Sequence, residues 1–201
     1  MSKLKDAQKE FIVQEALNLF LKKSIVDTTM VDIAREVGIG EATLYRYFKE
    51  KQNIILSSVI MLSKKVYNDY FKLNGNTGYE ILEDFYNNYL KIYKEHKEYY
   101  SFINEFDAVI INEQYDDNSY DHEILNFKDI FFEAYNKGIK DKSINEVPDS
   151  LGFYFSTTHA LLNLCKKLSL KPIVKSDDLV SGEDELKSLI ELILFRIKTH
   201  L

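Results

Sequence analysis

Residues 28–51 read TTMVDIAREVGIGEATLYRYFKEK, two short apolar patterns hinged on a glycine pair. The first pattern is Val31, Ile33, Ala34 and Val37. The hinge is Gly38-Ile39-Gly40. The second pattern is Ala42, Leu44, Tyr45, Tyr47 and Phe48. Two helices joined by a short turn containing Gly form the layout of a helix-turn-helix, whose second helix lies in the DNA major groove.

Local chemistry supports that layout. Thr29 followed by Asp32 approximates a capping box, with Asp in place of Glu, and opens a helix over Thr29–Val37. Gly38 stands where a left-handed residue ends a helix. Gly40 stands where the next helix takes its N-cap, so Glu41–Phe48 is the expected second helix. Leu44 and Phe48, four apart, point inward. Glu41, Ala42, Thr43, Tyr45, Arg46 and Tyr47 remain outside or at the N-terminal end, a short polar and aromatic set suited to base edges and phosphates. Thr28 and Thr29 are candidates for a phosphate at a helix N-terminus, although capping accounts for both.

Charge agrees once it is divided along the chain. The formal net charge is −6, which disfavours indiscriminate nucleic-acid binding. Residues 1–55, however, hold nine Lys/Arg against eight Asp/Glu, and the remainder 17 against 24. A near-neutral N-terminal module can still place a basic edge on phosphates while an acidic remainder stays off them.

Outside this module the chain reads as helices. Two prolines and seven glycines leave long uninterrupted stretches. Asp6–Lys23 carries Ile12, Ala16, Leu19 and Phe20 on one face, widened by Phe11 and Leu17. Lys51–Leu73 follows, with Lys51 at its start against the helix dipole, which a nearby phosphate would explain. LNGNTG at 73–78 is the clearest turn. Thr77–His96, Lys97–Gln114, Glu123–Lys142, Asp149–Leu170 and Glu183–His200 complete an all-α chain of about nine helices. The expected division is a three-helix DNA-binding domain over 1–50 and a helical effector-binding and dimerisation domain over 51–201.

Two features of the second part suggest sites. Tyr86, Tyr89, Tyr93, Phe102, Phe106, Phe127 and Phe131 recur at helical spacing. Aromatic residues so spaced form a core, or with a few polar groups a pocket for an apolar or aromatic small molecule. The last two helices are more apolar than a surface helix needs, at Phe155 and Leu162 and at Leu186, Leu189, Ile190, Ile193 and Ile197. They complete the monomer core or form a four-helix interface with a second copy.

Other chemistries find little support. His96, His122, His159 and His200 are scattered, and Cys165 has no His at helical contact distance, so an enzyme is not expected. Asp116, Asp117, Asp121, His122 and Glu123 cluster without metal-site spacing and read as a solvated loop over 115–122. No cofactor is implied. One cysteine excludes an internal disulfide and fits a reducing cytoplasm. The charged N-terminus lacks the apolar segment of a secretory signal, and no apolar run of membrane-spanning length occurs.

The 28–51 stretch resembles the TetR family of bacterial transcription regulators. The residues that carry it are Thr28-Thr29, Ile33-Ala34, Gly38-Ile39, Thr43-Leu44-Tyr45, Tyr47-Phe48 and Lys51, within a match over roughly residues 6–60. The resemblance implies that Ile33, Ala34, Leu44 and Phe48 are core, and that Thr29, Tyr45, Tyr47 and Lys51 contact phosphate. It places Glu41, Ala42, Thr43 and Arg46 where base-reading side chains lie. Gly40 departs from the usual Ser, and Gln52-Asn53 from the usual acidic pair. It further implies a homodimer on palindromic double-stranded DNA, acting as a repressor and released by an unidentified small-molecule effector. The competing reading is a DNA-bound structural or division-control protein of the same fold that takes no ligand.

Overall fold

The computed structural model describes residues 3–110, 119–171 and 179–199. Those residues form nine helices and no strand: α1 (Lys3–Lys23), α2 (Met30–Val37), α3 (Glu41–Tyr47), α4 (Lys51–Tyr70), α5 (Gly78–Glu95), α6 (Lys97–Ile110), α7 (Ser119–Lys140), α8 (Ser150–Ser169) and α9 (Gly182–Ile197). The all-α expectation is therefore met. An isolated bridge, Ile144 with Lys198, is the only extended pairing among the described residues. No helix among them is long and apolar enough to cross a membrane.

The chain divides into two compact units. The first is Met1–Lys65 with Ser101–Glu123, and the second is Val66–Tyr100 with Ile124–Leu201. The division falls inside α4, α6 and α7 rather than in loops. A sequence pattern cannot show this, because helical periodicity continues across it.

In the first unit, α1 buries Ile12, Val13, Ala16, Leu17 and Phe20. The sequence put Phe11 on that face, but Phe11 is 51% exposed. Val13 takes its place because positions 13, 16, 17 and 20 share a face with Ile12 at helical spacing. α2 adds Ile33 and Ala34, α3 adds Leu44, and α4 adds Ile54, Ile55, Val59 and Leu62. The Phe20 ring stacks on Phe102 of α6 with centroids 6.1 Å apart.

The second unit is built on an aromatic cluster. Phe71 meets Phe127 edge-on at 4.9 Å and Phe85 at 5.3 Å. Phe131 packs against Phe85, Tyr86 and Tyr154 at 5.8, 6.3 and 5.0 Å. Such pairs each contribute about 0.5–1.5 kcal/mol beyond the area they bury. α9 lies against α5 and α8, burying Leu186, Ile190, Ile193, Leu194 and Ile197.

Helix ends differ from the sequence expectation by a few residues, with local causes. α7 begins at Ser119, inside the stretch read as a loop, and its first-turn Asp121 suits the positive end of the helix dipole. α4 stops at Tyr70, whose backbone carbonyl accepts a bond from Asn88 Nδ2 at 2.6 Å. Beyond α7, Lys142 sits at φ 64°, left-handed backbone that a side chain opposes. Its side chain is exposed. Lys142→Gly is therefore expected to stabilise the fold by about 0.5–1 kcal/mol, the relief of strain exceeding the added unfolded-state entropy. A rise in the thermal unfolding midpoint followed by circular dichroism would show it.

Candidate DNA-binding site

The reader module is set by its turns. The hydroxyl and N–H of Thr29 donate to Asp32 Oδ2 at 2.8 and 2.9 Å, and Asp32 N–H donates back to Thr29 Oγ1 at 3.1 Å. That completes the capping box, and such caps contribute about 1 kcal/mol. The bonds from the Thr29 backbone and hydroxyl, then from Lys23, hold the Asp32 carboxyl well below the usual carboxylate range. Lys23 Nζ lies 3.0 Å from Asp32 Oδ2, tying the end of α1 to the start of α2.

Gly38 adopts φ 74°, and its N–H reaches the Arg35 carbonyl at 3.2 Å. The left-handed corner that the sequence required is present. Gly40 caps α3 in extended backbone with no side-chain bond. Leu44 and Phe48 are 0% and 2% exposed, fixing the inner face of α3. Glu41, Ala42, Tyr45 and Arg46 are then exposed together, while Thr43 and Tyr47 are half-buried. Tyr45 is 49% exposed. The Arg46 guanidinium lies 5.9 Å from the centre of the Tyr47 ring.

Three residues expected on phosphate are engaged elsewhere. Thr28 is 1% exposed and donates its hydroxyl to the Ser24 carbonyl at 2.6 Å, so it closes the α1–α2 turn. Tyr47 donates its hydroxyl to Gln8 Oε1 on α1. Lys51 donates to the Ile25 carbonyl. That bond gives the Lys51 ammonium a partner at the N-terminus of α4. Thr29 is exposed, with its hydroxyl committed to the capping box.

The aromatic residues expected to line one pocket divide between the two units. Phe102 and Phe106 are core of the first unit; Phe106 meets Tyr120 edge-on at 5.3 Å. In the second unit, Tyr86 is 0% exposed and its hydroxyl bonds Thr157 Oγ1 at 2.8 Å. Tyr93 donates to the Leu168 carbonyl at 3.3 Å, and Phe127 and Phe131 belong to the ring cluster above. Tyr89 differs: it is half-buried, and its backbone carbonyl accepts from the Tyr100 hydroxyl at 3.0 Å. Burial raises its proton affinity well above that of an ordinary tyrosine, with Tyr154, Tyr86 and Cys165 adding to the shift. Cys165 is 0% exposed, with its thiol pushed up to about 12 by burial.

The expected interface residues also change. Leu186, Ile190, Ile193 and Ile197 are 0%, 2%, 6% and 0% exposed within one protomer, and so are core. Leu162 and Leu189 are half-buried. Phe155 stays outside at 42% exposed, as do Leu151 on α8 and Leu192 on α9 at 51% and 68%. Sequence reasoning missed Leu192 because α9 is apolar on more than one side.

No group of three His, Cys, Asp or Glu among the described residues could hold a metal ion. Asp116 and Asp117 lie outside those residues. Asp121, His122 and Glu123 are on α7, with Glu123 3.5 Å from Lys64.

Comparison with known proteins bears on the same segment. Residues 12–57 match the bacterial regulatory proteins of the tetR family, a span that holds α2, α3 and the start of α4. Over that segment the chain is similar to the TetR family. It is 30% identical over 96 residues to YerO, an HTH-type transcriptional regulator of Bacillus subtilis, an alignment covering 46% of this chain and 33% of that protein. It is 33% identical over 87 residues to an HTH-type transcriptional regulator of Staphylococcus aureus USA300, covering 42% of this chain and 43% of the other. The chain thus spans less than half the length of these curated relatives. A TetR-family regulator from Agrobacterium tumefaciens has the same fold, with TM-score 0.69 at 13% identity over 97% of this chain and 100% of that one.

Proposed function

We propose that this TetR-like chain is a transcription regulator that binds palindromic double-stranded DNA as a homodimer in the cytoplasm, acts as a repressor, and leaves DNA when a small molecule occupies its second part. Residues 1–50 are the reader, and 51–201 carry the effector and dimer functions. The observation that carries this reading is the outer face of α3. Glu41, Ala42, Tyr45 and Arg46 stand exposed on a helix whose inner face is locked by Leu44. A helix so held presents side chains at fixed positions, as groove recognition requires.

The test is DNA selection from a random duplex pool, followed by fluorescence anisotropy on the enriched sequence. Tyr45→Ala and Arg46→Ala should each weaken binding about 10- to 100-fold, the range for a lost base or phosphate contact of about 1–3 kcal/mol. Both side chains are exposed, so the unfolding midpoint should stay in place. Failure to enrich any sequence would remove the reading.

A ligand-free architectural role is the second reading, favoured by the interlocked rings of Phe71, Phe85 and Phe131.

A further inference from the structure

The peptide at Ile25 is gripped at both of its polar groups. Its N–H donates to Glu105 Oε2 at 2.5 Å, and its carbonyl accepts from Lys51 Nζ. Ile25 lies just past the end of α1, where Ser24 reverses the chain at φ 92°. Glu105 stands on α6, eighty positions away, yet within the same compact unit as Ile25 and Lys51.

A turn amide at the protein surface can be satisfied by water. Here the Ile25 side chain is 1% exposed, and the amide is met by a half-buried carboxylate through a charge-assisted bond. Lys51 is half-buried next to it. Burial of the ammonium disfavours its charge, and Glu105 is the strongest of the acidic groups that oppose this, ahead of Asp27 and Asp32. The ammonium therefore rests on the protein, held by a carbonyl and by the charge of α6. A DNA phosphate at the start of α4 would compete for the same head group.

We propose that Glu105 is a positioning residue: from α6 it holds Lys51 on the Ile25 carbonyl and withholds one phosphate contact from the reader. This rests on the DNA-binding reading above and adds a means of regulation to it. Any shift of α6 that withdraws Glu105 frees the Lys51 ammonium for DNA, and any shift that seats it withholds the contact.

The experiment measures anisotropy of the full chain on the enriched duplex across a salt series. Each phosphate neutralised adds about 0.9 to the slope of log K against log salt. Glu105→Gln keeps an oxygen for the Ile25 N–H and removes the charge. It should tighten binding about three- to ten-fold at low salt and steepen the slope by about 0.9 per protomer. Lys51→Met in that background should return the slope to its starting value. Lys51→Met alone should leave the slope of the unaltered chain nearly unchanged, and this arm does not depend on how Glu105→Gln folds.

Three results would overturn the proposal. Lys51→Met alone flattening the slope would show Lys51 already on phosphate. Glu105→Gln weakening binding without a change of slope would make Glu105 a structural brace only. No binding by the unaltered chain would remove the DNA-binding reading and the proposal together, whereas the first two outcomes leave that reading standing.

Discussion

On the homodimer reading proposed above, Leu192→Glu is expected to leave a monomer and to weaken DNA binding by about two to four orders of magnitude. α9 turns Leu186, Ile190, Ile193 and Ile197 into its own protomer, at 6% exposure or less. Leu192 points the other way and is 68% exposed, and α8 contributes Leu151 and Phe155 at 51% and 42%. Covering such side chains gains about 1.5–3 kcal/mol each, and a two-fold axis counts every one of them twice. A carboxylate covered by a second copy at this position would have to lose its water without a partner. The DNA effect follows from valency. Two linked readers on one palindrome gain a factor of about 10²–10⁴ from effective concentration alone, and a monomer forfeits it. Helical content should be retained, because Leu192 is not part of the protomer core. Sedimentation velocity reads the assembly and anisotropy the affinity. A dimer that survives the substitution would move the interface to another surface.

How far the sequence reaches is visible in particular residues. The reader was legible because its signals are local. Thr29 with Asp32, Gly38 at a left-handed corner, and Leu44 with Phe48 each act within about one helical turn, and each stands where the spacing put it. Distance in the chain hid other contacts. The bond from Lys51 to the Ile25 carbonyl is invisible to pattern because Ile25 lies 26 residues before it. Phe102 and Phe106 were grouped with Tyr86 and Phe131 because periodicity shows that a residue faces inward but not what it faces. On α9, apolar residues occupy most of the circumference, so the core stripe and the outer Leu192 could not be separated by pattern. The same limit applied to Gly78, read from LNGNTG as the end of a turn. Its structural role is set by Gly138, sixty positions later.

That role carries a large stability effect. A Cβ at Gly78 would lie 2.1 Å from the Gly138 nitrogen and 2.4 Å from both the Ala134 carbonyl oxygen and the Gly138 Cα. These are backbone atoms of α7, so no side-chain rotation makes room, and α5 and α7 must separate. Separation also draws Gly78 N–H away from Asp141 Oδ2, now at 2.8 Å. Gly78→Ala is therefore expected to destabilise the protein by about 3 kcal/mol or more, although alanine is the better helix former by about 1 kcal/mol. Gly138→Ala supplies the contrast. Its Cβ would meet Ile144 Cδ1, Cγ1 and Cβ at 2.2, 2.6 and 3.0 Å, side-chain rather than backbone atoms. A smaller loss, about 1–2 kcal/mol, is expected there. Urea unfolding followed by circular dichroism measures both. Losses of equal size would argue against a backbone contact specific to Gly78, whereas a much larger loss at Gly78 means that α5 and α7 can approach this closely only where the residue has no side chain.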